Sequence, residues 1–536
     1  MKRFTALAVA SAALLLLVAA GPRVRGLLWV SSEVAALALA IALPLGGLLA
    51  FLLVKTDVWG RVTAGWLLAS MLFMPLYLQA AGWEAACGQL GWWTQAVAAG
   101  GPARPLFAGV LGAGLVHGLA ATPWVALIAG AALRCIDREE EEAALLDASP
   151  PAVLLRVTSR HAAAGLAVGA LWVAVTVSAE MTVTDLLQVR TFAEEVYTQA
   201  VIGAFDPRSD VPASLGPRGL AAGISLIALL GAAAIGGVRP WVVKGMAMTG
   251  AGWRWRMRSR VTRSTAAVLL WASVGLLLAA PVASLATQAG VTVERVGDSW
   301  RRGWSAPKLV SAVVTSPWIH REDVATSAGL GVMVATGAVA VGLGWAWRMS
   351  CSRRPPLVSL AGLAICLVMP GPLLGVACIG LMNHPWDSPF APLTWLYDHT
   401  LAAPWLVQMV RATPIATLVL WPALASVPNS LLDAAKAEGA GPLRRLLMVA
   451  APMRLRALAA AWVAALAVSV GELSATKLVL PPGWTTVAER VFTLLHYGVE
   501  DRVAGLSLAM IGFFLACAAV AAAVLRAGTS SGPSRR

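Results

Sequence analysis

Charge is scarce in this sequence. Asp, Glu, Lys and Arg supply 13% of its 536 residues, where soluble domains carry about a quarter. A chain this long with so few charges has too little polar surface for a soluble globule. Lysine is rarer still, six against 35 arginines, and no Gly-Lys pair occurs. A phosphate-binding P-loop needs Gly-Lys-Ser/Thr after a glycine-rich turn, so the chain lacks that ATPase device. The six cysteines (Cys87, Cys135, Cys351, Cys366, Cys378, Cys517) show no CxxC and no regular spacing. That excludes a disulfide or zinc framework and leaves them as small core residues. HExxH, a metal-spaced His/Cys cluster and a supported GxSxG are all missing, which removes the usual motifs of a membrane-embedded enzyme.

What fills the sequence is apolar. Hydrophobic residues make up 58% of it, in blocks of about 20, each able to cross a ~30 Å hydrocarbon core at ~1.5 Å per residue. The pattern predicts an all-α polytopic membrane protein with about twelve spans: 4–21, 33–54, 62–82, 106–133, 162–182, 219–238, 265–287, 326–346, 357–381, 401–424, 457–480 and 505–526. Lys2 and Arg3 ahead of the first span also suit a cleaved signal peptide, although topology favours a retained anchor. With the N-terminus inside, 26 Lys/Arg fall on the inner side and 14 on the outer, leaving Arg411 within a span. The net charge of +14 therefore fixes orientation in a lipid bilayer, and no nucleic acid partner is expected. Many of the 23 tryptophans, among them Trp92, Trp93, Trp300, Trp304 and Trp484, sit near span ends or in outer loops, as interfacial anchors do.

The sequence also repeats itself. Leu72-Phe73-Met74-Pro75 returns as Leu367-Val368-Met369-Pro370, and Ala121-Thr122-Pro123 as Ala412-Thr413-Pro414. Leu154-Leu155-x-Val157 returns as Leu446-Leu447-x-Val449, and Glu180-x-Thr182-x-Thr184 as Glu472-x-Ser474-x-Thr476, both 292 residues on. Ala193-Glu194-x-Val196-Tyr197-Thr198 reappears as Ala488-Glu489-x-Val491-Phe492-Thr493. Order and offset together predict two parallel six-span repeats about an axis along the membrane normal, with a central pathway. The divisions are a first permease half over 1–245, a basic cytoplasmic linker over 246–264 and a second half over 265–536.

In each half an inner loop follows the fourth span. The second reads Asp433-Ala434-Ala435-Lys436-Ala437-Glu438-Gly439 and ends Val449-Ala450-Ala451-Pro452. Ser430 is placed to cap its helix, and Gly439 permits a sharp turn without a Cβ penalty. The first reads Glu141-Glu142-Ala143-Ala144-Leu145-Leu146-Asp147, with Ser159-Arg160 where the second has Ala451-Pro452. Asp147 falls at the glycine position, where a left-handed conformation is possible at some cost.

This loop resembles the signature loop of binding-protein-dependent ABC importer permeases. Met369-Pro370-Gly371-Pro372, Gly471-Glu472-Leu473-Ser474-Ala475-Thr476 and Pro481-Pro482-Gly483-Trp484 are similar to the fused ferric-iron permeases. The resemblance implies a bacterial inner-membrane transport subunit without its own cofactor. Two cytoplasmic ABC ATPase subunits would use the ATP, each gripping one loop, and a periplasmic substrate-binding protein would deliver Fe(III). Thiamine, phosphonate, sulfate and polyamine importers have related permeases. The four tyrosines (Tyr77, Tyr197, Tyr397, Tyr497) and six histidines are scattered, so no resident metal site is expected; Fe(III) would favour oxygen ligands.

Glu180 and Glu472, near the outer ends of matching spans, have two readings. An acid within a span usually faces a cavity, which suits a pathway or gate for a cation. Alternatively both lie at the interface and cap nearby backbone groups. Arg411 reads as paired or snorkelling. The rival from another class is an ion-coupled secondary transporter, in which the paired loops would have no role.

Overall fold

In hydrocarbon every backbone N–H and C=O must find a partner within the protein, so apolar segments of this length fold as helices. The computed structural model bears this out. It describes residues 21–526 except 90, 98–104, 106, 205–214, 216–219, 222, 226–253, 258, 297–298 and 353–356. Among the described residues, seven helices are long and apolar enough to cross a membrane: Gly21–Lys55, Gly109–Arg134, Pro150–Ala179, Arg260–Ala289, Arg321–Ser350, Ala402–Ala425 and Asp501–Arg526. Three bent pairs raise the number to ten if each is one span: Arg61–Met71 with Leu76–Val97, Val358–Val368 with Gly371–Met382, and Pro442–Met453 with Leu455–Gly471. Of the twelve expected spans, 4–21 and 219–238 lie almost wholly or mostly outside the described residues. Among the described residues the chain is helical apart from one antiparallel hairpin, Val291–Val296 with Ser299–Trp304, in the segment that follows Arg260–Ala289, and an isolated bridge between Thr56 and Trp255.

Two of the bends have one cause. Pro75 and Pro370 each precede the second piece of a bent pair, with φ −59° and −55°, and the axes turn by 103° and 102°. Proline lacks the N–H that would continue the ladder, and it pushes the preceding residue out of the helical region. The third bend, 87°, falls at Arg454 (φ −120°, ψ 26°), just after Pro452. Its counterpart, Pro150–Ala179, runs unbroken through Ser159-Arg160.

Helix 21–55 packs along 109–134 and 150–179, and helix 321–350 packs along 402–425 and 455–471. The helices approach closely because small residues face each other, as membrane helix contacts require. A Cβ on Gly46 would lie 2.6 Å from Val125 Cγ1, and one on Gly342 would lie 3.1 Å from Ala416 Cβ. Hydrogen bonds recur as well. Ser31 Oγ accepts from the Phe192 amide at 3.2 Å, and Ser327 Oγ from the Val487 amide at 2.8 Å. Thr191 and Thr486 cap the following helices by accepting from the Glu194 and Glu489 amides. π-Helical turns occupy Leu154–Thr158, Gly275–Ala279 and Leu446–Ala450.

Residues before 246 and after 264 share one core. Leu68, Leu78 and Tyr77 are buried with Leu270, Leu285, Phe492 and Phe514. Helix 260–289 crosses onto 76–87, where a Cβ on Gly82 would lie 2.5 Å from Pro281 Cβ. The expectation for the cysteines needs correction: Cys135, Cys378 and Cys517 are buried, Cys87 and Cys366 are half-buried and Cys351 is exposed.

Candidate functional site

The second inner loop begins at Pro428, whose fixed φ of −60° leads into helix Asn429–Ala437. Ser430 does not cap it, because it is already inside the helix and no side chain bonds the first turn. The C-terminus closes as a Schellman motif. The Gly439 amide bonds Lys436 O at 3.0 Å, the Ala440 amide bonds Ala435 O at 2.9 Å, and Gly439 has φ 82°. No residue of this helix is buried. Asp433, Ala434 and Gly439 are exposed, as is Pro452 further on, while Ala435 is half-buried. Leu443 and Met448 lie 67% and 71% exposed beside them.

The first loop is built differently. Helix Arg138–Asp147 carries Glu139, Glu140 and Glu141 in its first turn, where the helix dipole favours negative charge. Glu142 is exposed and bonds Arg138 at 2.6 Å, Ala143 is exposed, and Leu146 is 87% exposed. Glu141 instead points inward. Both its oxygens accept from Lys55 Nζ, at 2.7 and 2.8 Å, and Thr158 Oγ1 donates at 3.1 Å. The pair is sealed, with side chains 2% and 0% exposed. Asp147 is the last helical residue and does not adopt the left-handed conformation; the chain turns at Ala148, extended at φ −141°, ψ 151°. Lys55 and Thr158 gave no sequence signal: a lysine at the inner end of a span ordinarily reads as snorkelling.

Glu180 and Glu472 each stand one residue past a helix end, after Ala179 and Gly471. Glu180 accepts from the Thr182 and Val183 amides at 2.7 and 3.1 Å, and from the Thr182 hydroxyl. Glu472 accepts from the Ala475 and Thr476 amides at 2.9 and 3.0 Å, and from the Thr476 hydroxyl. Each carboxylate therefore caps the turn that follows it. His117 Nε2 lies 3.6 Å from Glu180. At the matching place Gln408 donates to Thr476 Oγ1 at 3.0 Å and accepts from Ser469. Arg411 makes a long bond, 3.5 Å to Leu367 O. The repeated motifs meet here: a Cβ on Gly471 would lie 2.5 Å from Pro75 Cγ, and one on Gly371 would lie 2.2 Å from Ser474 Cβ.

A second polar group gathers around Asp185. Asp185 sits 3.4 Å from His496 Nε2. Its hydrogen bond raises the His496 pKa above the ordinary 6.5 against the opposing effect of burial. Lys477, 292 residues after Asp185 in the sequence, stands over the Phe492 and Tyr197 rings at 4.5 and 5.2 Å. A cavity of about 230 Å³ borders Asp185, His496 and Glu84. Among the described residues no group of three or more His, Cys, Asp or Glu is arranged to hold a metal ion.

No known protein family profile matches the chain. It is similar to the putrescine transport system permease protein PotI of Escherichia coli strain K12, with 26% identity over 146 residues, 27% of this chain and 50% of PotI. It is also similar to PhnV of Salmonella typhimurium strain LT2, a permease protein provisionally assigned to 2-aminoethylphosphonate transport. There the identity is 33% over 92 residues, 17% of this chain and 35% of PhnV. The chain thus spans half the length or less of these relatives. They are transport permeases rather than enzymes, and this multi-pass membrane protein is, over part of its length, a distant homologue of bacterial inner-membrane ABC importer permeases.

Proposed function

We propose that the chain is the translocation subunit of a binding-protein-dependent ABC importer, made of two parallel six-span halves around a shared pathway. The observation that carries the reading is the pair of inner loops. They lie 292 residues apart in sequence, from Glu141 to Asp433, each between a long helix and a π-helical turn. Both present exposed apolar side chains, Leu146 and Leu155 on one, Leu443 and Met448 on the other. Apolar groups at such sites suit a partner that covers them. Two cytoplasmic ATPase subunits would each seat one loop, and their ATP-driven closure would tilt the halves between inward-open and outward-open states. The duplicated architecture is supported by the matched proline bends, the Ser31 and Ser327 bonds, and the Glu180 and Glu472 caps.

For the cargo, the motifs around Met369-Pro370-Gly371 and Gly471-Glu472 favour Fe(III), handed over by a periplasmic binding protein. The relatives support a second reading, because putrescine and 2-aminoethylphosphonate, the compounds in their names, both carry a primary ammonium. Fe(III) and putrescine are cations, and 2-aminoethylphosphonate carries an ammonium beside its anionic phosphonate, so the Glu180 and Glu472 carboxylates would line the path or gate taken by a positive group.

Affinity purification of the solubilised chain from its native membrane tests the proposal. Recovery of an ATPase subunit is expected. A clean chain, obtained in gentle detergent with ATP present, would overturn the importer reading and favour an ion-coupled transporter.

A further inference from the structure

The two inner loops are anchored by different means. On the first, Glu141 is locked to Lys55 by two short bonds and to Thr158 by a third, all within the protein. Sequence register in the second half puts Asp433 opposite Glu141, Ala450 opposite Thr158 and Cys351 opposite Lys55. None of these reproduces the arrangement. Asp433 is exposed and among the described residues makes no ion pair, and Cys351 is exposed. The second loop is tied back by the Arg454 guanidinium on Ser426 O at 2.6 Å, an exposed contact. It also has a left-handed glycine at its turn and an 87° break at Arg454.

The anchorage of the first loop extends to the linker. The Trp255 amide bonds Lys55 O at 2.8 Å. Two residues on, Asp57 accepts from the Met257 amide at 3.1 Å and pairs with Arg263. One run of contacts therefore joins the linker, the end of helix 21–55 and the first loop. A charge sealed from water is held in place because any excursion leaves it unpaired in a low-dielectric interior. An exposed single bond exerts no such restraint.

We infer that Lys55 is a positioning residue that fixes the first inner loop to helix 21–55 and to the linker, so that the first loop is a rigid bearing and the second the one that yields. The inference rests on the proposed importer role for its meaning, but its physical content belongs to this chain alone. Glu141, the acid that opens the first loop, faces the interior, and Leu146 and Leu155 form that loop's docking surface.

Hydrogen exchange read by mass spectrometry on the purified full chain tests it. Amides of 138–147 are expected to exchange at least about tenfold more slowly than those of 429–437. Lys55→Met should bring the first loop to the rate of the second, with exchange elsewhere unchanged, and Lys55→Arg should keep it slow. If Lys55→Met does not fold, Glu141→Gln, which keeps the Thr158 contact and the side-chain volume, carries the same expectation. Equal exchange of the two loops in the wild type, or a first loop left protected by Lys55→Met or Glu141→Gln, would overturn the inference. Failure of the wild type to copurify an ATPase would sink the importer reading and leave this result standing.

Discussion

Replacing Gly439 by alanine perturbs the second inner loop without touching its packing. The residue sits at φ 82°, and a Cβ there meets nothing within 4 Å, so the whole effect comes from the backbone. Holding an L-residue in the left-handed region costs about 1–2 kcal/mol, and the Schellman bonds of Gly439 and Ala440 depend on that conformation. If the loop keeps its shape, the chain loses that much stability. If it relaxes, the proposed ATPase partner would have to restore the shape on binding, and its affinity would fall about 5- to 30-fold. Binding of the copurified ATPase to the chain in nanodiscs measures the second quantity, and thermal unfolding the first. Gly439→Asn should fall between wild type and alanine, because asparagine visits this region more readily. A Gly439→Ala chain that binds and melts like wild type would refute the reasoning, because the strain would then have nowhere to appear.

The double change Glu180→Gln with Glu472→Gln removes both charges from the proposed pathway, and uptake into vesicles should drop sharply; unchanged uptake would leave the carboxylates as caps and nothing more. His496 supplies a pH dependence. Asp185 raises its pKa above 6.5, whereas Lys477 nearby opposes that. Because the folded value exceeds the unfolded one, the Asp185–His496 contact contributes fully below about pH 6.5 and is lost as pH rises through the folded value. His496→Gln should therefore flatten the melting temperature between pH 6 and pH 8, and an equally steep profile in the variant would show that the contact does not contribute.

Much of the bundle was legible because apolar length and proline position carry it. Met74-Pro75 and Met369-Pro370 stood out as a repeat, yet their bends of about a right angle did not, because proline inside a membrane helix is often absorbed by neighbouring groups. Gly439 was legible for the reason that makes it useful: only glycine takes that backbone cheaply. Asp147 misled, since a chain can also turn by extending the next residue, as Ala148 does. Lys55 and Glu141 were illegible as partners. They are 86 positions apart, and a glutamate within a run of four looks solvated until a third helix turn brings Thr158 beside it. The Glu180 and Glu472 caps were foreseen as one of two readings, because the chain after each carboxylate opens a new helical turn whose first amides are free.

The π-helical turns at Leu154–Thr158 and Leu446–Ala450 have a consequence for how these helices tolerate change. Each holds one residue more than an α-helical turn would need, and with about 3.6 residues per turn that surplus offsets the angular phase above it by about 100°. Glu180 and Glu472 lie on the far side of those surpluses from the inner loops. In the unbroken helix Pro150–Ala179 the azimuth at which Glu180 is presented is thus set by residue count at the helix's other end, whereas the 87° break at Arg454 uncouples Glu472 from its own surplus. Loss of a single residue from Leu154–Thr158 would swing Glu180 out of register by about 100° while leaving Glu472 where it is.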